Sequence, residues 1–541
     1  MTEPLHGLMM DFPLTLAPLL ERAEKIFGRV QIVSRRPDRA LGRTTYADFA
    51  RRARRLAAAL TRAGLRRGDR VATLMWNHAT HLEAYFGVPV AGGVLHTLNL
   101  RLHPDEIAEI ARQAGDRFLL VDDVLLPLYE QIRPKVKFER VFVVPFGGGA
   151  PKLPEGAEEY EAWLAQAGDD FVAPELDENS AATMCYTSGT TGHPKGVLYS
   201  HRSLVLHALA SSTVDGFGIA QNDVALLVAS MFHVNGWGVP YASAMFGTKL
   251  VFPGPHANPS NLLQLIEQEG VTVAFGVPTI WLGLAAELER NPDRWKLSRP
   301  LRINCGGAAP PIELIHTLAR HNIELTHVFG MTEASPHLTA SRLRSYMSAW
   351  PEEKKDAVRA TQGYPAPLVE MRVMLPDGKG EAPRDGKTPG ELEVRGPWIA
   401  SSYYNAPQEA ERWTADGWFR TGDVACIDED GYVKIVDRSK DLIKSGGEWI
   451  SSVDMENALM GHPAVREAAV IGVPHPKLLE RPLAVVVLNE GASATADELR
   501  EFLAARFAKW QLPDEIVFTD EIPRTSVGKF KKSELRARYA N

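Results

Sequence analysis

The sequence predicts an α/β protein with a large N-terminal domain of layered α/β sheets, residues 1–438, and a small mobile α+β C-terminal lid domain, residues 439–541. Three observations support this prediction. Short apolar runs alternate with helical patterns over most of the chain, and shorter strands with tight turns follow residue 370. A compact unit of strands and helices then begins after the polar stretch at 437–440, which we place at the domain boundary.

The first part of the chain contains several apolar runs with the character of buried strands. They lie at residues 71–76, 118–123, 224–229, 271–276 and 301–306. Amphipathic helices are predicted between such runs, at residues 104–114 and 258–269. Because parallel strands are buried on both faces and need crossover connections, this alternation predicts largely parallel sheets.

The region after residue 370 changes character. Three short strand segments with tight turns occur there, and the pair Asp430-Gly431 has the composition of a hairpin turn. We expect these strands to form a small β-barrel. In the C-terminal unit we predict helices near 451–461 and 495–508 and strands near 466–472 and 483–488.

Composition excludes several classes of protein. The net charge is −7 and the pI about 6.2, which gives no electrostatic footprint for nucleic acid. The basic stretch 51–70 is interpreted as a helix that ends near Gly64 and has a solvated basic face. Three scattered cysteines without a CxxC pair are typical of core residues in a reducing compartment.

No apolar run reaches the roughly 20 residues that span a bilayer, and the N-terminus lacks a signal-peptide pattern. We therefore expect a cytoplasmic protein without a transmembrane segment. Peripheral contact with a membrane, to collect an apolar substrate, stays open.

The densest local motif is YTSGTTGHPKG at residues 186–196. Glycines, hydroxyl side chains and Lys195 in one loop can direct backbone N–H groups, hydroxyls and a positive charge at phosphate oxygens. The loop is not a Walker A motif, because Pro194 precedes the lysine where that motif has glycine. The loop therefore predicts a phosphate-binding site.

Five segments, in this order, resemble the motifs of the adenylate-forming superfamily of acyl-CoA synthetases, peptide-synthetase adenylation domains and firefly-type luciferases. They are the loop at 186–196, FGMTE at 329–333, WFRTGD at 418–423, DRSKDLIKSGGEWIS at 437–451 and PRTSVGK at 523–529. The local pattern is similar to medium- and long-chain fatty acid–CoA ligases and to the methylthiopropanoate–CoA ligase branch. The resemblance implies an AMP-forming acid–thiol ligase that uses ATP and CoA as co-substrates and Mg²⁺ as cofactor.

The resemblance also implies roles for individual residues. Lys529 would be catalytic, reaching the carboxylate and the α-phosphate, while Lys440 would be the hinge of the lid. Thr187 and Glu333 would hold Mg²⁺. The nucleotide would contact Thr187, Ser188, Gly189, Thr190, Thr191, Gly192, Lys195, Gly307, His327, Val328, Phe329, Thr332, Asp423, Arg438, Lys440, Lys444 and Lys529. A second face of the lid, with Ser445, Gly446, Gly447 and Trp449, would pass the pantetheine arm of CoA.

One motif departs from the family pattern. Related fatty acyl enzymes often have Gln-Gly-Tyr-Gly before the Thr-Glu pair, whereas this chain has His327-Val328-Phe329-Gly330. The ring that would stack on adenine is kept, but the tyrosine hydroxyl is lost. The polar contact to adenine would then come from His327 or from the backbone.

The segment MFHVNGWGVPY at 231–241 resembles the lining of the family's acyl tunnel. His233 would lie near the carboxylate, with a catalytic role, and Trp237 would gate the tunnel. Val234, Val277, Pro278 and Gly307 would complete an apolar lining. Relatives that activate amino acids typically have an aspartate where His233 stands, so amino acids are disfavoured.

The preferred substrate is expected to be a medium- to long-chain fatty acid. The alternative is a shorter acid such as 3-(methylthio)propanoate, or a branched or arylalkyl acid, since one methylene changes discrimination by only roughly 1–3 kcal/mol. Two other classes of function are alternatives: an adenylating enzyme without a CoA step, and a non-catalytic relative that binds acyl-adenylates. The GGEWIS segment and the retention of Lys529, Glu333 and Asp423 count against them. The oligomeric state stays open, with a homodimer frequent among related enzymes.

Overall fold

The computed structural model describes residues 5, 7–187, 194–297, 299–438, 440–445, 448–524 and 530–540, apart from the side chains of residues 377, 448 and 449. Helices and strands alternate through this part of the chain. The helices are α1 (Leu16–Phe27), α2 (Tyr46–Arg62), α3 (Ala79–Val90), α4 (Pro104–Ala114), α5 (Leu126–Ile132), α6 (Tyr160–Ala165), α7 (His201–Ser211), α8 (Val239–Phe246), α9 (Pro259–Glu269), α10 (Pro278–Arg290), α11 (Ile312–Arg320), α12 (Glu352–Arg359), α13 (Ser452–Met460), α14 (Ala496–Ala504) and α15 (Lys532–Tyr539).

The strands are β1 (Gln31–Arg35), β2 (Leu41–Thr45), β3 (Arg70–Leu74), β4 (Val94–Thr97), β5 (Asp116–Asp122), β6 (Arg140–Val144), β7 (Ala157–Glu159), β8 (Ala181–Tyr186), β9 (Gly196–Ser200), β10 (Val224–Leu227), β11 (Lys249–Phe252), β12 (Val273–Gly276), β13 (Leu301–Cys305), β14 (Ile323–Gly330), β15 (His337–Ala340), β16 (Tyr364–Pro365), β17 (Glu370–Met374), β18 (Gly390–Arg395), β19 (Phe419–Ile427), β20 (Val433–Arg438), β21 (Ile443–Ser445), β22 (Glu448–Ile450), β23 (Val465–His475), β24 (Leu479–Leu488) and β25 (Glu515–Phe518).

Two large sheets form the body of the protein. A nine-stranded sheet has the order β16-β15-β14-β13-β12-β10-β11-β1-β2, and a seven-stranded sheet has the order β7-β6-β5-β3-β4-β8-β9. Their inner strands are parallel, as between β10 and β12 or β12 and β13, whereas the edge pairs β1–β2 and β8–β9 are antiparallel. The predicted largely parallel α/β fold is therefore confirmed.

The region predicted as a small β-barrel is a four-stranded antiparallel sheet, with the order β17-β18-β19-β20. Within the described residues its outer strands β17 and β20 do not pair with each other, so the sheet is open rather than closed. The turn at Asp430-Gly431 connects β19 and β20 as predicted, and Gly431 takes a positive φ of 83° there.

Helix α2 contains the basic stretch, and its cap residue Ala63 precedes Gly64 as predicted. Its basic face is more paired than the sequence indicated. The Arg52 guanidinium lies 2.6 Å from a carboxylate oxygen of the buried Glu83 and 2.6 Å from Glu161. Arg52 therefore belongs to the packing against α3 and α6, whereas Arg51 and Arg62 are exposed as predicted.

The C-terminal strands form a separate sheet with the order β22-β21-β24-β23, to which β25 adds beside β24. Helices α13 and α14 pack on one of its faces and α15 packs on the other. This unit touches the body where the Asp437 carboxylate accepts a 2.7 Å hydrogen bond from the backbone N–H of Ser452. Within the described ranges, no helix is long and apolar enough to cross a membrane.

Candidate active site

One cavity of about 300 Å³ lies where four neighbouring parallel strands of the nine-stranded sheet end. Val228 follows β10, Val277 follows β12 and Gly306 follows β13. Phe329 is the residue before the last one of β14. Ligands of open α/β sheets bind at the carboxyl ends of the strands, so this position is the expected one for a functional site.

The cavity brings together most of the predicted site residues that the structure describes. From the nucleotide motifs, the lining includes Thr187, Lys195, Gly307, Val328, Phe329, Thr332, Glu333, Arg438 and Lys440. From the acyl segment and its neighbours, it includes His233, Val234, Trp237 and Val277. Residues that are far apart in the chain thus share one site.

Other predicted residues do not line this cavity. They are Pro278, His327, Asp423, Lys444 and Ser445. Ser188, Gly189, Thr190, Thr191, Gly192, Gly446, Gly447 and Lys529 lie outside the described residues, as does the side chain of Trp449. Residues 530–533 of the C-terminal unit, which follow Lys529 directly in the sequence, do line the cavity.

The carboxylate of Glu333 is buried and held from one side. Its Oε1 accepts a hydrogen bond from the hydroxyl of Tyr403, and its backbone carbonyl accepts one of 2.7 Å from the N–H of Ala400. Lys195 lies above the Tyr403 ring, 5.3 Å from its centroid, and its Nζ donates a 2.6 Å hydrogen bond to Glu409. Tyr403 therefore contacts a lysine through the face of its ring and a carboxylate through its hydroxyl.

Asp423 lies on β19, opposite Arg438 on β20. One oxygen of its buried carboxylate is 2.7 Å from the Arg438 guanidinium, and this charge raises the pKa of Arg438. The other oxygen, Oδ2, is buried without a hydrogen-bond partner within the described residues. An unsatisfied carboxylate oxygen is costly, so a hydroxyl donor from a ligand is a natural partner.

His327 is fixed by protein contacts. Its Nδ1 lies 2.8 Å from the carbonyl oxygen of Thr361, and burial lowers its pKa to about 4. His327 is not among the residues that line the cavity.

The acyl segment adopts an unusual backbone. Five consecutive residues, 234–238, have positive φ angles, from 31° at Asn235 to 72° at Gly238. Asn235 anchors this turn from below, because its amide donates to the Thr97 hydroxyl and its oxygen accepts from Thr183, at 3.1 and 3.0 Å. Residues other than glycine rarely adopt positive φ angles, and such backbone strain concentrates at functional sites. The turn presents Trp237 to the cavity, 7% exposed.

Replacing Gly238 with alanine is expected to destabilise the protein by about 1–3 kcal/mol and to raise the KM for the acid. The new Cβ would stand 2.6 Å from the ring of His207, in addition to the backbone strain at φ +72°. Chemical denaturation measures the loss of stability, and initial rates at increasing concentrations of the acid substrate measure the KM. Gly270→Ala is the matched control, because Gly270 has a φ of +65° with nothing within 4 Å of its Cβ position. An equal effect of the two variants on the acid KM would contradict the assignment of this turn.

Several cavity residues were not found from the sequence. Tyr403 and Arg412 lie between recognised motifs, and Arg101 lies on an early loop. Phe217 and His337 also line the cavity. In the sequence, Tyr403 and Arg412 lie shortly before the WFRTGD motif and His337 lies shortly after the FGMTE motif. This nearness is the signal that could have indicated them as site residues.

The cavity brings residues of the nucleotide motifs and of the acyl segment together, and comparisons with known proteins identify the family. The profile of the AMP-binding enzyme family matches residues 21–404, and that of the AMP-binding enzyme C-terminal domain matches residues 454–529. A long-chain-fatty-acid–CoA ligase of Thermus thermophilus is 52% identical, over 98% of this chain and 97% of the relative. A 3-methylmercaptopropionyl-CoA ligase of Ruegeria lacuscaerulensis is 45% identical, over 98% of both.

The crystal structure of an anthranilate CoA ligase in complex with anthranoyl-AMP superposes with a TM-score of 0.86, at 26% identity and over 98% of both chains. The chain belongs to the AMP-binding enzyme family. The resemblance carried by the five motifs is thereby confirmed, as is the α/β fold class predicted from the alternation of strands and helices.

Proposed function

We propose that this protein is an ATP-dependent acyl-CoA synthetase that converts a medium- to long-chain fatty acid, ATP and CoA into acyl-CoA, AMP and diphosphate by way of an acyl-adenylate. The observation that carries this proposal is the single cavity lined by the phosphate loop, the acyl segment and the C-terminal unit. The relatives named above are CoA ligases for a long-chain fatty acid and for 3-methylmercaptopropionate, which supports the reaction class.

The charges around the cavity suit the first half-reaction. Attack of a carboxylate on an α-phosphate brings two anions together, so the site must neutralise and orient both. Lys195, Arg412, Arg438, Lys440 and Lys531 all line the cavity. Burial lowers the pKa of Lys440, because its ammonium group is poorly solvated. A phosphate is a favourable partner for an ammonium group in such a position.

The residues present fit Mg²⁺. Thr187, Thr332 and Glu333 offer oxygen ligands on one wall of the cavity, and Mg²⁺ prefers oxygens. Mg²⁺ commonly combines one or two protein ligands with waters and substrate phosphate oxygens, so this small set of protein oxygens is sufficient. Bound there, Mg²⁺ would neutralise phosphate charge, while Glu333 and Tyr403 would position it.

The remaining nucleotide contacts are assigned by chemistry. Phe329 and Val328 would pack against adenine at the end of β14, while Thr187, Lys195 and the loop residues 188–192 would hold phosphates. Asp423 would accept a ribose hydroxyl through its unpartnered Oδ2, next to Arg438. Lys529 would reach the reacting carboxylate and α-phosphate, because Phe530 and Lys531 directly after it line the cavity.

The lid would present two faces in turn. In this structure residues 530–533 line the cavity, whereas Ser445 does not line it and accepts a hydrogen bond from Arg481 within the C-terminal sheet. We infer that this arrangement serves adenylation. Rotation about Lys440 would then bring the segment with Ser445, Gly446, Gly447 and Trp449 to the acyl-adenylate for CoA attack, with Lys444 moving alongside. We place the domain boundary at residues 438–439 for this reason.

We also propose that the protein is cytoplasmic and that it forms a homodimer. The cytoplasmic location is proposed because ATP, CoA and free acids are metabolites of the cytoplasm. The homodimer is proposed because related enzymes often form one. Light scattering of the purified chain measures the mass in solution, and a monomer at micromolar concentration would contradict the second statement.

The function is tested by pyrophosphate release from ATP and Mg²⁺ with CoA, across straight-chain acids from acetate to palmitate and with 3-(methylthio)propanoate. A maximum among the medium- to long-chain acids is expected. A maximum at 3-(methylthio)propanoate or at a short acid would keep the reaction class and replace the substrate. No release with any acid would contradict the proposal.

Trp237→Ala is expected to widen the range of accepted acids. The indole packs against Gly306, where an added Cβ would stand 3.1 Å from the ring, so its removal opens the inner cavity. Acids longer than the wild-type optimum should gain relative kcat/KM by about tenfold, given roughly 1–3 kcal/mol per methylene of misfit. The measurement is the chain-length profile, and an unchanged profile would show that Trp237 does not limit the chain.

A further inference from the structure

The wall of the cavity includes a buried histidine that the proposed reaction does not use. His337 begins β15, is 2% exposed and lines the cavity. Its backbone is held on both sides, because its N–H donates to Nε2 of His207 at 3.3 Å and its carbonyl accepts from the Trp398 indole at 3.0 Å. The position of the side chain is therefore fixed by the fold.

The imidazole itself lacks normal partners. Both ring nitrogens are buried and neither makes a hydrogen bond of normal geometry with the described residues. Burial lowers the pKa of His337 to about 4, against a weaker effect of the Thr339 backbone, so the ring is neutral at pH 7. A neutral imidazole offers one N–H donor and one lone pair. Buried polar atoms are almost always satisfied, and one in a ligand cavity points to the ligand.

A second unpartnered polar atom lies behind the same wall. The ring of Phe217 packs on His337, with 4.6 Å between centroids, and it also lines the cavity. The amide of Asn304 donates a 3.1 Å hydrogen bond to the Phe217 carbonyl, while its buried Oδ1 has no partner in the described part of the chain. Asn304 precedes Gly306 by two residues in the chain, so the two residues face the same side of the sheet. The side chains of His337 and Asn304, both buried and in contact with the cavity residue Phe217, thus have unpartnered polar atoms in the described structure.

We propose that His337 is a specificity-determining residue, which hydrogen-bonds a hydroxyl group carried on the distal part of the acyl chain. The preferred acids are then hydroxy fatty acids rather than plain alkyl acids. A hydroxyl both donates and accepts, so it satisfies either tautomer of the ring. A second carboxylate or an ammonium is excluded, because a neutral ring gives a buried charge no counter-ion. The inference rests on the proposed acyl-CoA synthetase function and names its substrate class.

The test compares butanoate, hexanoate, octanoate and decanoate, each with its ω-hydroxy counterpart, so that the hydroxyl moves through the cavity. The readout is the ratio of kcat/KM for the hydroxy acid to that for the alkyl acid in acyl-CoA formation. The wild type is expected to prefer the hydroxy acid at one or two lengths. His337→Leu should lower that ratio by about tenfold at those lengths, as loss of one buried hydrogen bond implies, and His337→Gln should restore part of it.

Ile280→Val is the matched control, because it trims the same cavity without removing a polar atom. It should leave the ratio unchanged. A ratio equal in wild type and His337→Leu, or a wild-type preference for the alkyl acid at every length, overturns the proposal. Turnover of alkyl acids by His337→Leu shows that the variant is folded, and the wild-type ratios decide alone if it is not. Absence of acyl-CoA from every acid with the wild type contradicts the synthetase function instead.

Discussion

Replacing Lys529 with alanine is expected to lower the rate of acyl-adenylate formation by about 10²–10³-fold or more, while thioester formation from supplied acyl-adenylate continues at close to the wild-type rate. The ammonium group would offset the repulsion between the attacking carboxylate and the α-phosphate and stabilise the charge that develops on the α-phosphate oxygens, and this attack occurs only in the first half-reaction. Pyrophosphate exchange measures the first step. Acyl-CoA formation from synthetic acyl-adenylate and CoA measures the second.

The neighbouring Lys531 provides a matched control for this prediction. It lines the cavity, and its side chain is 53% exposed beside Glu534, 3.8 Å away. Lys531→Ala removes the same charge from the same loop and should slow adenylation far less than Lys529→Ala. If Lys531→Ala has the larger effect on adenylation, the reacting lysine is Lys531. If Lys529→Ala slows both half-reactions equally, Lys529 acts on the fold of the lid rather than on the chemistry.

Glu333→Gln is expected to slow adenylation by about 10²–10³-fold and to raise the Mg²⁺ concentration needed for half-maximal rate. The substitution removes the negative charge that would help to hold Mg²⁺. It keeps the shape of the side chain and an oxygen that can accept the hydrogen bond from Tyr403. The measurement is the initial rate against Mg²⁺ concentration at saturating ATP and acid.

Tyr403→Phe separates the charge of Glu333 from its positioning. This variant removes only the hydroxyl that donates to Glu333 and leaves the ring beneath Lys195. It should reduce the rate by about tenfold to a hundredfold, the size of one hydrogen bond to a charged group, with little change in the Mg²⁺ requirement. A Mg²⁺ requirement that is unchanged in Glu333→Gln would show that Glu333 is not a metal-positioning residue.

Much of the fold was predictable because local patterns agreed with the final packing. The helices at 104–114 and 258–269 became α4 and α9 almost residue for residue, since both have a proline in their first turn and a glycine at their C-terminal cap. The open four-stranded sheet was predicted as a barrel. Closure depends on whether β17 and β20 meet, and no local pattern encodes a pairing between strands so far apart.

The site was predictable where a motif carries its chemistry in consecutive residues, as in the segments of Glu333 and Lys195. It was not predictable where one residue completes the cavity from a distant element. Tyr403 is seventy residues from Glu333 in sequence, yet the two share a hydrogen bond. His337 was overlooked because a lone histidine at the start of a strand has no pattern. Its significance arises from burial, the cavity wall and the absence of ring partners in the described structure.

The central claim is that one site makes an acyl-adenylate and then transfers the acyl group to CoA. The most direct measurement is product analysis by mass spectrometry after a single turnover with ATP, Mg²⁺ and octanoate, with and without CoA. We expect octanoyl-AMP to remain bound when CoA is omitted, and octanoyl-CoA with an equal amount of AMP when CoA is present. Octanoyl-AMP that persists unchanged in the presence of CoA would contradict the account.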